Sequence, residues 1–159
     1  MRNERMQKRR GLLSAGLGTV ALGMLRPAFA QRALPTVVVY KNAGCGCCGE
    51  WEKHMRAAGF RVESHSVADV IPMKRKLGVP DALQSCHTAT VDGYVLEGHV
   101  PAGDVKRLLR ERTRTRGLAV PGMPVGSPGM EQGPPQPYST LAFDESGSRV
   151  FARHQLPRE

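Results

Sequence analysis

Three of the chain's four cysteines fall within four consecutive residues, Cys45, Cys47 and Cys48, in the stretch Asn42-Ala43-Gly44-Cys45-Gly46-Cys47-Cys48-Gly49-Glu50-Trp51. No other feature limits the fold as much, because the sequence on either side says where these thiols stand. Before them, Thr36-Val37-Val38-Val39-Tyr40 is a β-branched and aromatic run following Pro35, and it reads as a buried strand. After them, Glu50 to Ala58 carries Trp51, Met55 and Ala58 at helical spacing, with Gly59 suited to the position just past a helix end. The cysteines therefore occupy a strand-to-helix turn. There the unpaired N–H groups and the dipole of the helix stabilise a thiolate, which makes it a nucleophile or a metal ligand.

The rest of the chain supplies a frame for that turn. Arg61 to Val67 alternates as a half-buried strand does, and Val70 to Leu77 reads as a short helix ending before Gly78 and Pro80. Residues 88–92 and 94–99 flank Gly93 and predict a hairpin turning at Asp92-Gly93. A helix starts between Pro101 and Asp104, with Val105, Leu108 and Leu109 as its apolar stripe. The order β-α-β-α-β-β-α predicts an α/β fold, a thioredoxin-like single domain with helices packed on one sheet. The composition then changes. Residues 117–138 hold five Gly and six Pro among 22 positions, and Gly117 to Ser139 is expected to carry no regular structure. Leu141 to Phe143 and Arg149 to Ala152 predict a terminal hairpin around Ser146-Gly147, so this C-terminal Pro/Gly-rich extension is expected to lie packed across the domain.

The N-terminus decides the compartment. Residues 1–10 are basic, residues 11–25 form an uncharged run of 15, and Ala28-Phe29-Ala30 offers small residues at the positions a signal peptidase reads. The run is shorter than the roughly 20 residues that span a bilayer, so an export signal cleaved after Ala30 is expected, and no membrane association after cleavage. Lys8-Arg9-Arg10-Gly11-Leu12-Leu13 looks like a twin-arginine signal, although Leu12 stands where phenylalanine is more usual. The expected organisation is thus residues 1–30 as signal, 31–116 as thioredoxin-like metal-binding domain and 117–159 as extension, with the mature chain periplasmic. The leader holds six Lys/Arg and one Asp/Glu, so the mature chain keeps 23 − 6 = 17 basic and 14 − 1 = 13 acidic residues, a net of +4. A charge that small is no nucleic-acid footprint. Lys106 to Arg116 is basic, but without interleaved aromatic residues it reads as a solvated helix face.

In an exported protein, Cys45 and Cys48 alone would suit a structural disulfide, or a redox couple with Cys45 attacking and Cys48 resolving. Cys47 adds a thiol that a single disulfide cannot use, and it brings three sulfurs to one centre, as a soft metal ion requires. The fourth thiol, Cys86, lies in Gln84-Ser85-Cys86-His87-Thr88-Ala89, just before the third predicted strand. In a thioredoxin-like domain the loop entering that strand lies against the C-x-x-C turn, where oxidoreductases place a cis-proline. Here Ser85-Cys86-His87-Thr88 takes its place, which predicts a four-thiol site with an imidazole beside it. Copper(I) selects thiolate and thioether. Zinc is less favoured, since its structural sites use ligand pairs at C-x2-4-C spacing and C-x-C-C fits that template poorly. Met123 and Met130, each preceded by glycine in a segment with little other apolar mass, would cap a copper site if the extension folds back over it. His54 and His65 take structural readings, His99 reads as a hydrogen-bonder that fixes its loop, and His154, near the C-terminus, either swings toward a metal or is simply exposed. Trp51 reads as a core anchor shielding the site from water.

The C-x-C-C loop, Ser85-Cys86-His87-Thr88 with Gly93-Tyr94-Val95-Leu96-Glu97-Gly98-His99-Val100-Pro101, and Gly117 to Met130 together resemble the CopG-like periplasmic copper-resistance family, over about residues 36–155. The resemblance implies a thioredoxin-like domain whose C-terminal extension helps bind metal, a cysteine-bridged copper cluster beside the loop, and a role in interconverting Cu(I) and Cu(II). Carried over by motif, Cys45, Cys47 and Cys48 are the loop ligands and Cys86 the fourth. His87, Met123 and Met130 match motif positions, His87 ranking above the methionines. Copper ions are the expected partners, with copper-efflux or periplasmic redox proteins beyond them, and the chain is expected to act as a monomer. Two alternatives stay open: a thiol:disulfide oxidoreductase using Cys45 and Cys48, and a module closed by two disulfides or one zinc.

Overall fold

The computed structural model describes residues 33–155, and the export signal read at residues 1–30 lies outside them. The polypeptide forms β1 (Val37–Asn42), α1 (Gly46–Ala57), β2 (Val62–Val67), α2 (Ile71–Lys76), a 3-10 turn at Asp81–Leu83, β3 (His87–Val91), β4 (Tyr94–Glu97), α3 (Ala102–Glu111), β5 (Gly117–Ala119), β6 (Tyr138–Asp144) and β7 (Gly147–His154). The strands make one mixed sheet in the order β2-β1-β3-β4-β5-β6-β7. The β1–β2 and β4–β5 pairs are parallel and the other neighbours antiparallel.

Both faces of the central strands are covered. Because side chains alternate along a strand, Leu96, Leu118 and Ala142 join Trp51, Met55, Val105 and Leu108 in the main cluster, while their neighbours Val95, Ala119 and Phe143 join Val79 and Leu83 in a second. Trp51 is wholly buried and donates its indole N–H to Val100 O at 2.9 Å, so it anchors α1 to the segment after β4. Its loss would cost about 3–5 kcal/mol.

Several elements differ from the sequence reading. The first helix begins at Gly46 and takes Cys47 and Cys48 into its opening turn, because Cys45 already occupies the extended capping position. The second strand is not half-buried: it is a sheet edge, and Glu63, Ser64, His65 and Ser66 are all exposed. Gly117 to Ser139 is not wholly irregular either. Gly117–Ala119 forms β5 between β4 and β6, since Leu118, Ala119 and Val120 are a fully buried apolar triplet that the surrounding Pro and Gly conceal in composition. The terminal hairpin extends further than read, over β6 and β7. Among the described residues, no helix is long and apolar enough to cross a membrane.

Candidate metal centre

The chain leaves β1 at Asn42, turns through Ala43 and Gly44, and presents Cys45 as the N-cap of α1 with no side-chain hydrogen bond to the helix. A C-x-x-C spacing places its two side chains on one face of the first turn. Cys45 and Cys48 are joined in a disulfide there, while Cys47 remains a free thiol with its Sγ 3.6 Å from Cys45 Sγ. Cys86, also free, stands immediately before β3. The pairing of β3 with β1 carries it to the cysteine turn, its Sγ 3.8 Å from Cys47 Sγ across 39 residues of sequence. The four sulfurs lie within 4.8 Å of one another.

Two imidazoles converge on the same sulfur. His87 is fully buried against Trp51, with ring centroids 4.4 Å apart. Its Nδ1 is 3.2 Å from Cys86 Sγ, and its Nε2 is buried without a partner among the described residues. His99 is also fully buried and sets its Nε2 2.9 Å from Cys86 Sγ. The other nitrogen of His99, Nδ1, lies 2.7 Å from Pro128 O. A carbonyl only accepts, so Nδ1 carries the ring proton and Nε2 turns a lone pair toward the sulfur. Burial holds both imidazoles below the ordinary histidine range, most strongly at His87, where His99, Lys74 and Lys41 act in the same direction. Burial also pushes the Cys86 thiol up to about 12, with the neighbouring Cys47 adding to it and Ser85 and Lys74 opposing. A metal arriving at neutral pH therefore displaces the Cys86 proton.

The Pro/Gly segment supplies the roof. Gly129 has a φ of +88°, and a Cβ there would stand 2.8 Å from both Cys47 O and Trp51 N. Only glycine lets the segment approach the cysteine turn so closely, and this approach delivers Pro128 O to His99. Met130 is half-buried in the tight turn of residues 126–130, where Gly126 N–H donates to its carbonyl at 2.8 Å. Met123 is 51% exposed, on the loop whose Gly122 O accepts the Ser85 hydroxyl. The other histidines stand elsewhere. His54 Nε2 accepts Ala102 N–H at 3.0 Å, His65 stacks on Tyr40, and His154 pairs with Asp104 at 2.9 Å.

Sequence predicts His99 as a loop-fixing residue, and its Nδ1 does fix the loop through Pro128 O, yet its Nε2 faces Cys86 Sγ and the candidate site. The signal lay in the predicted hairpin. With Asp92-Gly93 as its turn, Val91 pairs with Tyr94, and counting outward sets 88 against 97 and 86 against 99. Cys86 and His99 thus meet just beyond the ends of the β3–β4 pairing.

A family model described as a protein of unknown function, DUF411, matches residues 83–130, which include Cys86, His87, His99, Met123 and Met130. Two solved structures, forms 2 and 1 of the copper resistance protein copG, are each 47% identical to the chain. They superpose with TM-scores of 0.73 and 0.71, and cover 77% and 76% of this chain and 99% and 98% of their own. The chain belongs to the CopG family. No curated protein matches it. Its four cysteines, and separately Cys86 with His87 and His99, are grouped closely enough to hold a metal ion, with sulfur and imidazole donors.

Proposed function

We propose that this protein is a periplasmic copper-binding protein of copper resistance, which holds Cu(I) on its cysteine sulfurs as a cluster and interconverts Cu(I) and Cu(II). One observation carries the reading: Cys86 Sγ belongs to two donor sets at once, the four sulfurs and the Cys86-His87-His99 triad. The sulfur-only set suits Cu(I), and the set with two imidazole nitrogens suits Cu(II), so adjacent positions sharing one sulfur favour different oxidation states. Full sulfur coordination requires the Cys45–Cys48 disulfide to be reduced. Conversely, two thiols that close into a disulfide release two electrons and two protons, and those electrons reduce two Cu(II) to two Cu(I). Met130, within the roof, and the exposed Met123 are assigned as accessory thioether ligands, ranking below His87. The accompanying fold reading is a thioredoxin-like frame through α3, with residues 117–159 as an extension contributing to the site. The protein acts as a monomer after loss of residues 1–30, with copper-efflux or periplasmic redox proteins as partners.

Anaerobic reconstitution with copper tests this. More than one copper per chain is expected, and Cys47→Ser or Cys86→Ser should each abolish multiple loading. One copper or fewer in the reduced wild-type protein contradicts the reading. The existing Cys45–Cys48 disulfide supports a second function, thiol:disulfide exchange. Reduction of a model disulfide that survives Cys86→Ser but not Cys45→Ser would establish that one instead.

A further inference from the structure

Lys74 and Glu97 form an ion pair with both side chains wholly buried, Nζ to Oε1 at 2.5 Å. Taking two charges out of water costs several kcal/mol per ion, and an apolar pair of similar volume would fill the space as well. The pair offers something an apolar pair does not. The Ser85 backbone N–H donates to the same Glu97 Oε1 at 2.6 Å, and Ser85 directly precedes Cys86. Gly98, next along from Glu97, has a φ of +70° and no room for a side chain, since a Cβ would stand 2.5 Å from Ser85 Cβ and 2.7 Å from Val120 O. Ser85 is therefore hydrogen-bonded to Glu97 and packed closely against Gly98. The other end of the strut is tied to the strand that leads into the cysteine loop: Lys74 belongs to α2, and Val70 N–H, the cap of that helix, donates to Asn42 Oδ1 at 2.9 Å. Asn42 is the last residue of β1 before the cysteine loop.

We propose that Glu97, held by Lys74, is a positioning residue of the metal centre. Through the Ser85 N–H it fixes Cys86 Sγ relative to Cys47 Sγ, and so determines whether Cys86 shares a metal with the triplet. The inference rests on the copper reading and extends it to two residues that touch none of the four sulfurs.

The test compares two double variants of the mature chain. Lys74→Met/Glu97→Leu removes both charges and the acceptor, whereas Lys74→Met/Glu97→Gln removes both charges but keeps a carbonyl oxygen for Ser85. Residues supporting metal ligands typically alter metal affinity by about 10- to 100-fold. Competition against the Cu(I) chelator bathocuproine disulfonate should show a loss of about tenfold or more for the Leu variant, with most of it recovered in the Gln variant. A copper-free readout runs beside it, in a Cys45→Ser/Cys48→Ser background that isolates Cys47 and Cys86. There, oxidised glutathione and the two thiols equilibrate with two reduced glutathiones and the Cys47–Cys86 disulfide. The equilibrium constant should fall and recover in the same pattern. Wild-type values in both variants, or equal losses in both, overturn the proposal. Should the Leu variant fail to fold, a loss of about tenfold or more in the folded Gln variant overturns it. A wild-type protein that takes up no copper while the glutathione pattern holds sinks the copper reading and leaves the positioning role standing.

Discussion

Glu52 shows how single side chains fix the helix that carries the cysteines. It is buried on α1 and accepts from Lys41 of β1 at 2.8 Å, Ser64 of β2 at 2.7 Å and Arg56 at 3.1 Å. Burial alone would raise its carboxyl, but Lys41, Ser64 and Arg56 together outweigh it and hold the group below the ordinary carboxylate range. A carboxyl whose folded pKa lies below its unfolded value stabilises fully above the unfolded pKa, and that contribution is lost as pH falls through the folded one. Glu52→Gln should therefore lower stability by roughly 1–3 kcal/mol at pH 7, from hydrogen bonds to a charged group. The difference from wild type should close as the pH drops below the carboxylate range. Urea unfolding at pH 7 and at pH 3 measures both. At the same scale, much of the candidate site was legible: the thiols at positions 45, 47 and 48 announce themselves by spacing, and Cys86 with His87 by their place at the entry to the third predicted strand. His99, Glu97 and Lys74 did not, because a lone histidine after a glycine and an isolated pair of opposite charges look like any surface residues until strand pairing buries them.

At the scale of elements, the strap from Gly117 to Tyr138 carries the strongest constraint. Gly129→Ala places a methyl group against Cys47 O and Trp51 N at a left-handed backbone position. Overpacking of this kind costs about 1–3 kcal/mol. The substitution should also lift Pro128 O from His99, so that copper affinity falls along with the thermal midpoint. Unchanged copper affinity in a folded Gly129→Ala protein would show that the roof does not hold His99. The elements were legible where one period dominates. Val37 to Tyr40, the Asp92-Gly93 turn with both residues at positive φ, and the stripe of Val105, Leu108 and Leu109 each follow one rule. β5 was hidden because three apolar residues are too few to register against six prolines. β2 was misjudged because alternation shows which residues share a face, not whether anything covers that face.

At the scale of the molecule, the C-terminal strands belong to the same cores as the half that carries the cysteine cluster. Leu118, Val120 and Ala142 pack in the cluster that holds Trp51, and Ala119 and Phe143 in the second, while Arg116 N–H bonds to Phe143 O at 2.9 Å. A chain ending at Arg116 loses all of these. Removing the Phe143 side chain alone costs about 3–5 kcal/mol, against a total stability for domains of about 5–15 kcal/mol. The shortened chain should show no cooperative thermal transition by circular dichroism. Melting close to the full chain would mean that the first four strands and three helices fold alone.

The central claim is that Cys86 and the cysteine triplet share copper. X-ray absorption at the copper K-edge of the anaerobically loaded, reduced protein tests it most directly. A first shell dominated by sulfur, with a copper–copper distance that disappears in Cys86→Ser, is the expected result. A nitrogen- and oxygen-only shell, or a sulfur shell indifferent to Cys86→Ser, would contradict it.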